Sequence, residues 1–373
     1  RAFARHARLR VQKLTIYLDA NADGSPSPAG IEAYARAAGE DVAPRDAPRI
    51  AQGHLSSIAD VLGVRADQVS ITSGGTPAVA LAVQAALDAQ NRRHVVTTAV
   101  EHAAVLDTLA ALQDRGACAV AIVEPGPDGQ VVPVAIERAM TPDTGLVTVT
   151  SASNETGVLQ PIDSICHIAH RGGALFHTDA VQTLGRIAID WHATKVDFAS
   201  FSAHKIGAVG GLGFVYHRRS GFAEAFRRPR PADMSDFNLP GLASTACAMR
   251  ERHRSMASEL RDRFEAALRV LPNIEVVGGS VARLPNTSLI RFEGCEGDGL
   301  LMMLDVEGIE VSTGSACASG SVEPSPVLLS MGYSAKQALE AVRFSWEPGF
   351  HLAEVEAVAQ RVVDAVERCR ALA

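Results

Sequence analysis

No run of apolar residues in this 373-residue chain is long enough to cross a membrane. An excess of charge is missing too: 35 Lys and Arg against 42 Asp and Glu leave a formal −7, with a pI near 6.0. That balance offers no general attraction to nucleic acid or to an anionic membrane, so direct binding to either is not expected. There is no internal repeat and no low-complexity tract. Cysteine is sparse, and its six positions (118, 166, 247, 295, 317 and 369) follow neither metal-ligand nor disulfide-scaffold spacing. No metal is therefore expected, and a reduced, cytoplasmic setting is. In such a chain an exposed cysteine matters for its reactivity rather than for cross-linking. The start, Arg1 to Arg10, is basic but lacks the apolar block of a secretory signal, and residues 1–13 read as a solvated tail.

What is present is ordinary for a globular protein: 47% hydrophobic and 21% charged residues in 39.3 kDa. That length allows a large core, as two domains or one large α/β unit.

Along the chain, Leu14–Leu18 reads as a strand, followed by turn-rich Asp19 to Pro28 and a helical pattern from Ile31. The stretch from Asp41 to Arg49, with Pro44 and Pro48, reads as a loop before a helix from Ala51 to Leu62. Val69–Thr72 is a strand, and Ser73-Gly-Gly-Thr-Pro77 leads into a helix over 78–90, with Thr76 as its N-cap and Pro77 at its first position. A glycine-rich turn entering a helix presents free backbone N–H groups to an anion, although a plain βα turn is the more common use.

Strands at 94–98, 117–123, 146–151, 174–179 and 198–205 then alternate with helices at 103–115, 134–140 and 161–171, and a further strand covers Phe214–His217. This order argues for a mostly parallel, doubly covered α/β sheet, with ligands bound beyond the carboxyl ends of its strands. Gly75, His102, Asn154, Asp179 and Lys205 all follow strand-like runs and would gather there.

After an irregular connection from Gly221 to Pro240, a helical segment is expected from Gly241 to Leu271, then short strands and helices to the end. The chain thus divides into a large domain, 14–250, and a smaller α+β domain, 251–373.

Lys205 ends the apolar run Phe198-Ala-Ser-Phe-Ser-Ala-His-Lys205. Desolvation lowers a lysine's pKa and makes its amine a usable nucleophile, which is how carbonyl cofactors are captured; a strand-end lysine reaching water is the plainer reading of this stretch alone. Asp179 at a strand end should be paired with a cation or exposed, because an unpaired buried carboxylate is costly. His102 could stack its imidazole on a ring, but by itself it reads first as an ordinary core histidine. In an ideal strand Ser202 and His204 point to one side and Lys205 to the other, and the following turn can relax that.

Four segments carry a resemblance: Ser202-Ala-His204-Lys205, His177-Thr-Asp179-Ala-Val-Gln182, Ser153-Asn154-Glu155-Thr156-Gly157 and Thr72-Ser-Gly-Gly-Thr76. Together they resemble the pyridoxal 5'-phosphate site of the class V aminotransferase superfamily and, in order and spacing, that of the cysteine desulfurases. The similarity runs from about Ile16 to Arg343. It implies an aminotransferase-like fold (fold type I) with a seven-stranded sheet in the large domain, and the cofactor pyridoxal 5'-phosphate. By resemblance Lys205 bonds the cofactor, Asp179 holds its ring nitrogen, Gln182 its ring hydroxyl, and His102 stacks on the ring and assists proton transfer. Gly75, Thr76, Ser202 and His204 hold the phosphate, while Arg343 and Asn154 take the substrate carboxylate.

Val311-Ser-Thr-Gly-Ser-Ala-Cys317-Ala-Ser-Gly-Ser-Val-Glu-Pro324 resembles the active-cysteine loop of the desulfurase branch that carries a long loop. The implied reaction converts L-cysteine to L-alanine, leaving a persulfide on Cys317 for an acceptor protein. The same resemblance implies a homodimer. Iron–sulfur cluster assembly, tRNA thiolation and DNA phosphorothioation are the candidate destinations. Alternatives are another class V reaction (selenocysteine cleavage or transamination) and a scaffold that carries the cofactor without turnover.

The chain departs from the family pattern in three places. Its Gly39–Arg49 region is shortened, Met234-Ser-Asp236 stands where an Arg-x-Gly-Thr element serves the partner subunit's phosphate, and Phe344-Ser-Trp-Glu-Pro348 follows Arg343. The first two bear on dimer contacts and favour a specialised sulfur donor.

Overall fold

The computed structural model describes residues 16–43, 45–209, 211–219, 238–252, 258–314 and 323–372. In chain order its strands are β1 (Ile16–Tyr17), β2 (Val69–Thr72), β3 (His94–Thr98), β4 (Ala119–Val123), β5 (Thr144–Thr148), β6 (Leu175–Asp179), β7 (Phe198–Ser202), β8 (Gly213–His217), β9 (Ile274–Val276), β10 (Thr287–Phe292), β11 (Ile309–Glu310) and β12 (Ala341–Ser345). Seven of them make the main sheet, in the order β2-β8-β7-β6-β5-β3-β4. Only β8 is reversed, pairing antiparallel with β7 and β2, so the sheet is the mostly parallel α/β layer that the strand–helix alternation predicts.

Strands β5 to β8 are buried along their whole length because helices cover both faces. Side-chain alternation then splits each strand between two cores. Val96, Val147, Phe176, Phe201 and Phe214 join one cluster; Val95, Leu146, Leu175, Phe198 and Val215, on the opposite faces of the same strands, join another. In the first, Phe201 stacks on Phe214 at 4.7 Å between ring centroids and meets Trp191 edge-on at 5.4 Å. In the second, the helix Gly75–Asp88 buries Ala78, Val79, Ala82, Val83 and Ala86. These small residues let its axis lie close to the sheet, which brings its first turn to the carboxyl end of β7.

A smaller antiparallel sheet, β12-β10-β9, is covered by the helices Glu259–Leu268 and Val355–Leu372. Phe264 bridges the layers, 4.9 Å from Phe344 and 5.1 Å from Trp346. Leu18 belongs to this same cluster, and β1 pairs in parallel with β11. The start of the described chain is therefore stitched to its last third. No helix among the described residues is long and apolar enough to cross a membrane.

The helices with the most displaced starts begin at Pro28, Ala47 and Gly75, where the sequence suggests Ile31, Ala51 and Ala78. In each, proline sits inside the first turn, where its missing N–H has no intrahelical partner to lose. Pro48 and Arg49 are thus helical rather than loop, and Gly74, not Thr76, precedes the helix Gly75–Asp88. The expected segment from Gly241 to Leu271 is two helices, Leu239–Arg252 and Glu259–Leu268. Residues 253–257 and 234–236 lie outside the described residues.

Candidate active site

A cavity of about 290 Å³ opens where the main sheet's strands end, lined by Gly75, Thr76, His102, Asn154, Asp179, Gln182, Ser202, His204, Lys205 and Arg343, with Asn21 and Gly314 among its other walls. Every site residue expected from the sequence that is described lines it. Cys317 lies outside the described residues; Gly314, in the cavity wall, is the last described position before it.

The turn after β7 makes this convergence possible. The strand stops at Ser202 and tightens into a 3₁₀ turn, Ala203–Ile206, closed by Gly207 in the left-handed region (φ 79°). In a continued strand His204 and Lys205 would face opposite sides; three residues per turn brings both to the same cavity as Ser202. Ser202 Oγ lies 2.9 Å from His204 Nδ1. Across from them, the Gly75 and Thr76 N–H groups precede the first intrahelical bond, which Ala78 N–H makes to Gly74 O. A Cβ on Gly75 would sit 3.1 Å from Ser202 Cβ, so this wall is kept open by the absence of a side chain.

The Lys205 ammonium is half-buried and donates to Asn21 O at 2.9 Å and to Ala22 O. Burial, together with the charges of Arg186 and Arg343, lowers its pKa to about 8 against the opposing pull of Asp23 and Asp19. Asp179 is neither exposed nor part of an ion pair among the described residues, contrary to the sequence expectation. Its Oδ1 accepts from Val181 N–H at 2.9 Å, and burial drives its pKa up. A buried carboxyl in that condition is completed by a cationic donor within the cavity.

His102 is not a core histidine: it is exposed, and its Nδ1 caps the following helix by accepting from Ala104 N–H at 3.0 Å. A neutral ring held this way carries its proton on Nε2. Beneath it, Glu101 is buried with a pKa pushed up to about 8 by that burial. Gln182 donates to Asn21 O at 3.1 Å and accepts from Arg186. Arg343, only 2% exposed, donates through Nη1 to Asn154 O and Gly314 O and through Nη2 to Asp19 Oδ1 at 2.6 Å.

The sequence reading missed Asp19, Asn21, Glu101 and Arg186. Asn21 is 2% exposed; its side chain donates to Asn154 O at 3.1 Å and to Thr287 Oγ1 at 2.9 Å, joining the cavity to the smaller sheet. Its only trace in the sequence is a turn-rich stretch. A Cys–His–Asp grouping away from the cavity, Cys166, His170 and Asp197, is ill suited to act as a nucleophile: the thiol is 3.9 Å from the ring and burial pushes its pKa to about 12.

The aminotransferase class-V family model matches residues 42–231 and 245–358. The chain belongs to the class-V aminotransferase family. It is 36% identical over 327 residues to a cysteine desulfurase of Cereibacter sphaeroides, covering 85% of this chain and 84% of that one. Among solved structures, a NifS-like protein superposes with a TM-score of 0.84 at 26% identity, over 95% of this chain and 100% of that one. A structure titled SspA in complex with cysteine gives 0.77 at 26%, over 90% and 99%. The fold is accordingly the aminotransferase-like fold type I, and the protein is a class-V enzyme dependent on pyridoxal 5'-phosphate. The cavity's donor set fits that cofactor: an amine of lowered pKa, a buried carboxyl awaiting a cationic donor, and free N–H groups at a helix start for a phosphate.

Proposed function

We propose that this chain is a cysteine desulfurase, converting L-cysteine to L-alanine and leaving the sulfur as a persulfide on Cys317. The observation that carries the reading is the meeting of Lys205, Asp179 and buried Arg343 at one cavity whose wall includes Gly314, a residue of the segment that resembles the active-cysteine loop. Bound pyridoxal 5'-phosphate supplies an electron sink for the pair left when the substrate's Cα–H bond breaks.

The chain's own groups do the rest. Lys205 would anchor the cofactor, and its Nζ would accept the α-proton and return it; the burial that lowers its pKa suits an amine to that work. Asp179 would hold the ring nitrogen protonated, Gln182 would bond the ring hydroxyl, and the His102 imidazole would lie against the ring. The N–H groups of Gly75 and Thr76, with Ser202 and His204, bind the phosphate. Arg343, with Asn154 beside it, takes the substrate carboxylate. The Cys317 thiolate attacks the substrate sulfur: the new S–S bond forms as the substrate Cβ–S bond breaks, and alanine leaves once Cβ is protonated.

The same reading makes the protein a cytoplasmic homodimer of large (14–250) and small (251–373) domains that hands its sulfur to an acceptor protein. Iron–sulfur assembly, tRNA thiolation and DNA phosphorothioation are separated by which acceptor co-purifies with persulfide-trapped Cys317. Purified holoenzyme given L-cysteine and a reductant should release alanine and sulfide in equal amounts. Cys317→Ser should keep the cofactor's absorbance and release neither; undiminished turnover in that variant overturns the proposal.

A further inference from the structure

Arg186, four residues after Gln182, is buried at 6% exposure. Its Nη1 donates to both oxygens of Gln182, the backbone O at 2.9 Å and the side-chain Oε1, and its Nη2 donates to Ala20 O at 3.1 Å. A guanidinium can only donate, so the end of the Gln182 amide that meets it is Oε1. A backbone carbonyl can only accept, so the end that meets Asn21 O at 3.1 Å is Nε2. Two partners of opposite kind therefore fix the amide one way round.

That orientation puts the nitrogen on the side of the reactive amine. Lys205 Nζ donates to the same Asn21 O at 2.9 Å, so Gln182 Nε2 and Lys205 Nζ are at most about 6 Å apart. Asn21, Gln182 and Lys205 all line the cavity. Their shared acceptor is itself held: Ala20 N–H donates to Ser345 O at 3.1 Å, Asn21 N–H donates to Ser345 Oγ at 2.9 Å, and Arg186 takes the Ala20 carbonyl. One guanidinium thus grips Gln182 and the strand-like segment that Gln182 and Lys205 both bond. An amide released from Arg186 would be free to turn over and set an acceptor, Oε1, where the donor now stands.

We propose that Arg186 is a positioning residue for the cofactor: by holding Gln182 Oε1 it keeps the amide nitrogen beside Lys205 as the donor to the ring hydroxyl oxygen of pyridoxal 5'-phosphate. The inference rests on the reading that gives Gln182 to that hydroxyl, and adds the residue that makes it a donor there. In the cofactor the carbon that a lysine amine bonds and the carbon that bears the hydroxyl are carried on adjacent ring positions, so a donor close to Nζ suits that oxygen. A guanidinium fits the task because its fork reaches several acceptors at once, which the single nitrogen of a lysine does not. Fixing the amide in advance removes its ordering cost from the binding step.

The test compares two ligands that differ in one oxygen. The full chain, freed of cofactor, is dialysed to equilibrium against pyridoxal 5'-phosphate and against its 3-deoxy analogue, and the ratio of the two dissociation constants is read. Any intrinsic difference in how the two bond an amine is common to all variants and cancels between ratios. Gln182→Leu should lower the wild-type preference for the hydroxyl-bearing cofactor about tenfold. Arg186→Met should lower it by a similar factor, and the two substitutions together by no more than either alone. Arg186→Lys keeps the charge but not the fork; it should lose about threefold or more, and it carries the test if the methionine variant fails to fold. A wild-type ratio in the Arg186 variants, whether binding is unchanged or both ligands weaken equally, overturns the proposal. So does a further fall when Arg186→Met is added to Gln182→Leu, because the charge would then be acting on the ring directly. An unchanged preference in Gln182→Leu defeats instead the assignment of Gln182 to the ring hydroxyl, and the role of Arg186 falls with it.

Discussion

Replacing Glu101 by Gln removes an acid that the fold holds in the wrong protonation state for neutral water. The side chain is 4% exposed, its Oε1 accepts from Thr98 Oγ1 at 2.7 Å and from Thr150 N–H at 2.8 Å, and its Oε2 has no partner among the described residues. Burial first, and then the Asp179 charge, push its pKa from the ordinary carboxyl value of 4.5 up to about 8, against those two hydrogen bonds. Between those limits the unfolded chain has lost the proton and the folded one keeps it, so the contribution of this group to stability is fully present at low pH and is lost as pH rises toward 8. The slope is about 1.4 kcal/mol per pH unit, which makes on the order of 3 kcal/mol between pH 5 and pH 7. Glutamine keeps the Oε1 acceptor and sets an amide nitrogen where Oε2 now stands unpaired, a pH-independent penalty of about 1 kcal/mol or more. Glu101→Gln should therefore be the less stable protein at pH 5 and gain on the wild type steadily to pH 8. Urea unfolding of both proteins at pH 5, 6, 7 and 8 measures this, and the difference cancels every other titrating group. Parallel curves across that range would refute the reasoning.

Asp179→Asn keeps the acceptor for Val181 N–H but removes the charge that suits a protonated ring nitrogen. Its affinity for pyridoxal 5'-phosphate should fall about tenfold or more by equilibrium dialysis, and an unchanged affinity would remove Asp179 from the cofactor's partners. Gly213→Ala puts a Cβ 2.3 Å from Gly74 C and O, so the turn that starts the helix Gly75–Asp88 must move. A loss of about 1–3 kcal/mol in stability, with weaker binding of cofactor and of inorganic phosphate, is expected by denaturation and dialysis; wild-type values for all three would show that the turn does not need this close approach.

The parts of the site that could be read from the sequence are those whose meaning is local. Gly75 and Thr76 at a helix start, Asp179 at the end of an apolar run and Lys205 at the end of another each follow a strand pattern of period two and precede a break in it. His102 was identified by position but not by its work as a helix cap, because its bond to Ala104 N–H depends on where the helix begins. Proline in the first turn conceals the starts of the helices at Pro28, Ala47 and Gly75, since proline signals a boundary without saying on which side of it the helix begins.

By itself, then, the sequence determined the order of strands and helices, the family, and several of the side chains that gather beyond the carboxyl ends of the strands, Asp179 and Lys205 among them. Tertiary structure alone decided how they are held. A 3₁₀ turn swings Lys205 to the side of Ser202 and His204, a change of direction that strand periodicity does not contain. Asn21 bonds Thr287 across 266 positions and Asp19 pairs with Arg343 across 324. Such partners leave no pattern in the residues beside them, because charge and hydrogen bonding act through space while periodicity records only which face of its own element a residue occupies.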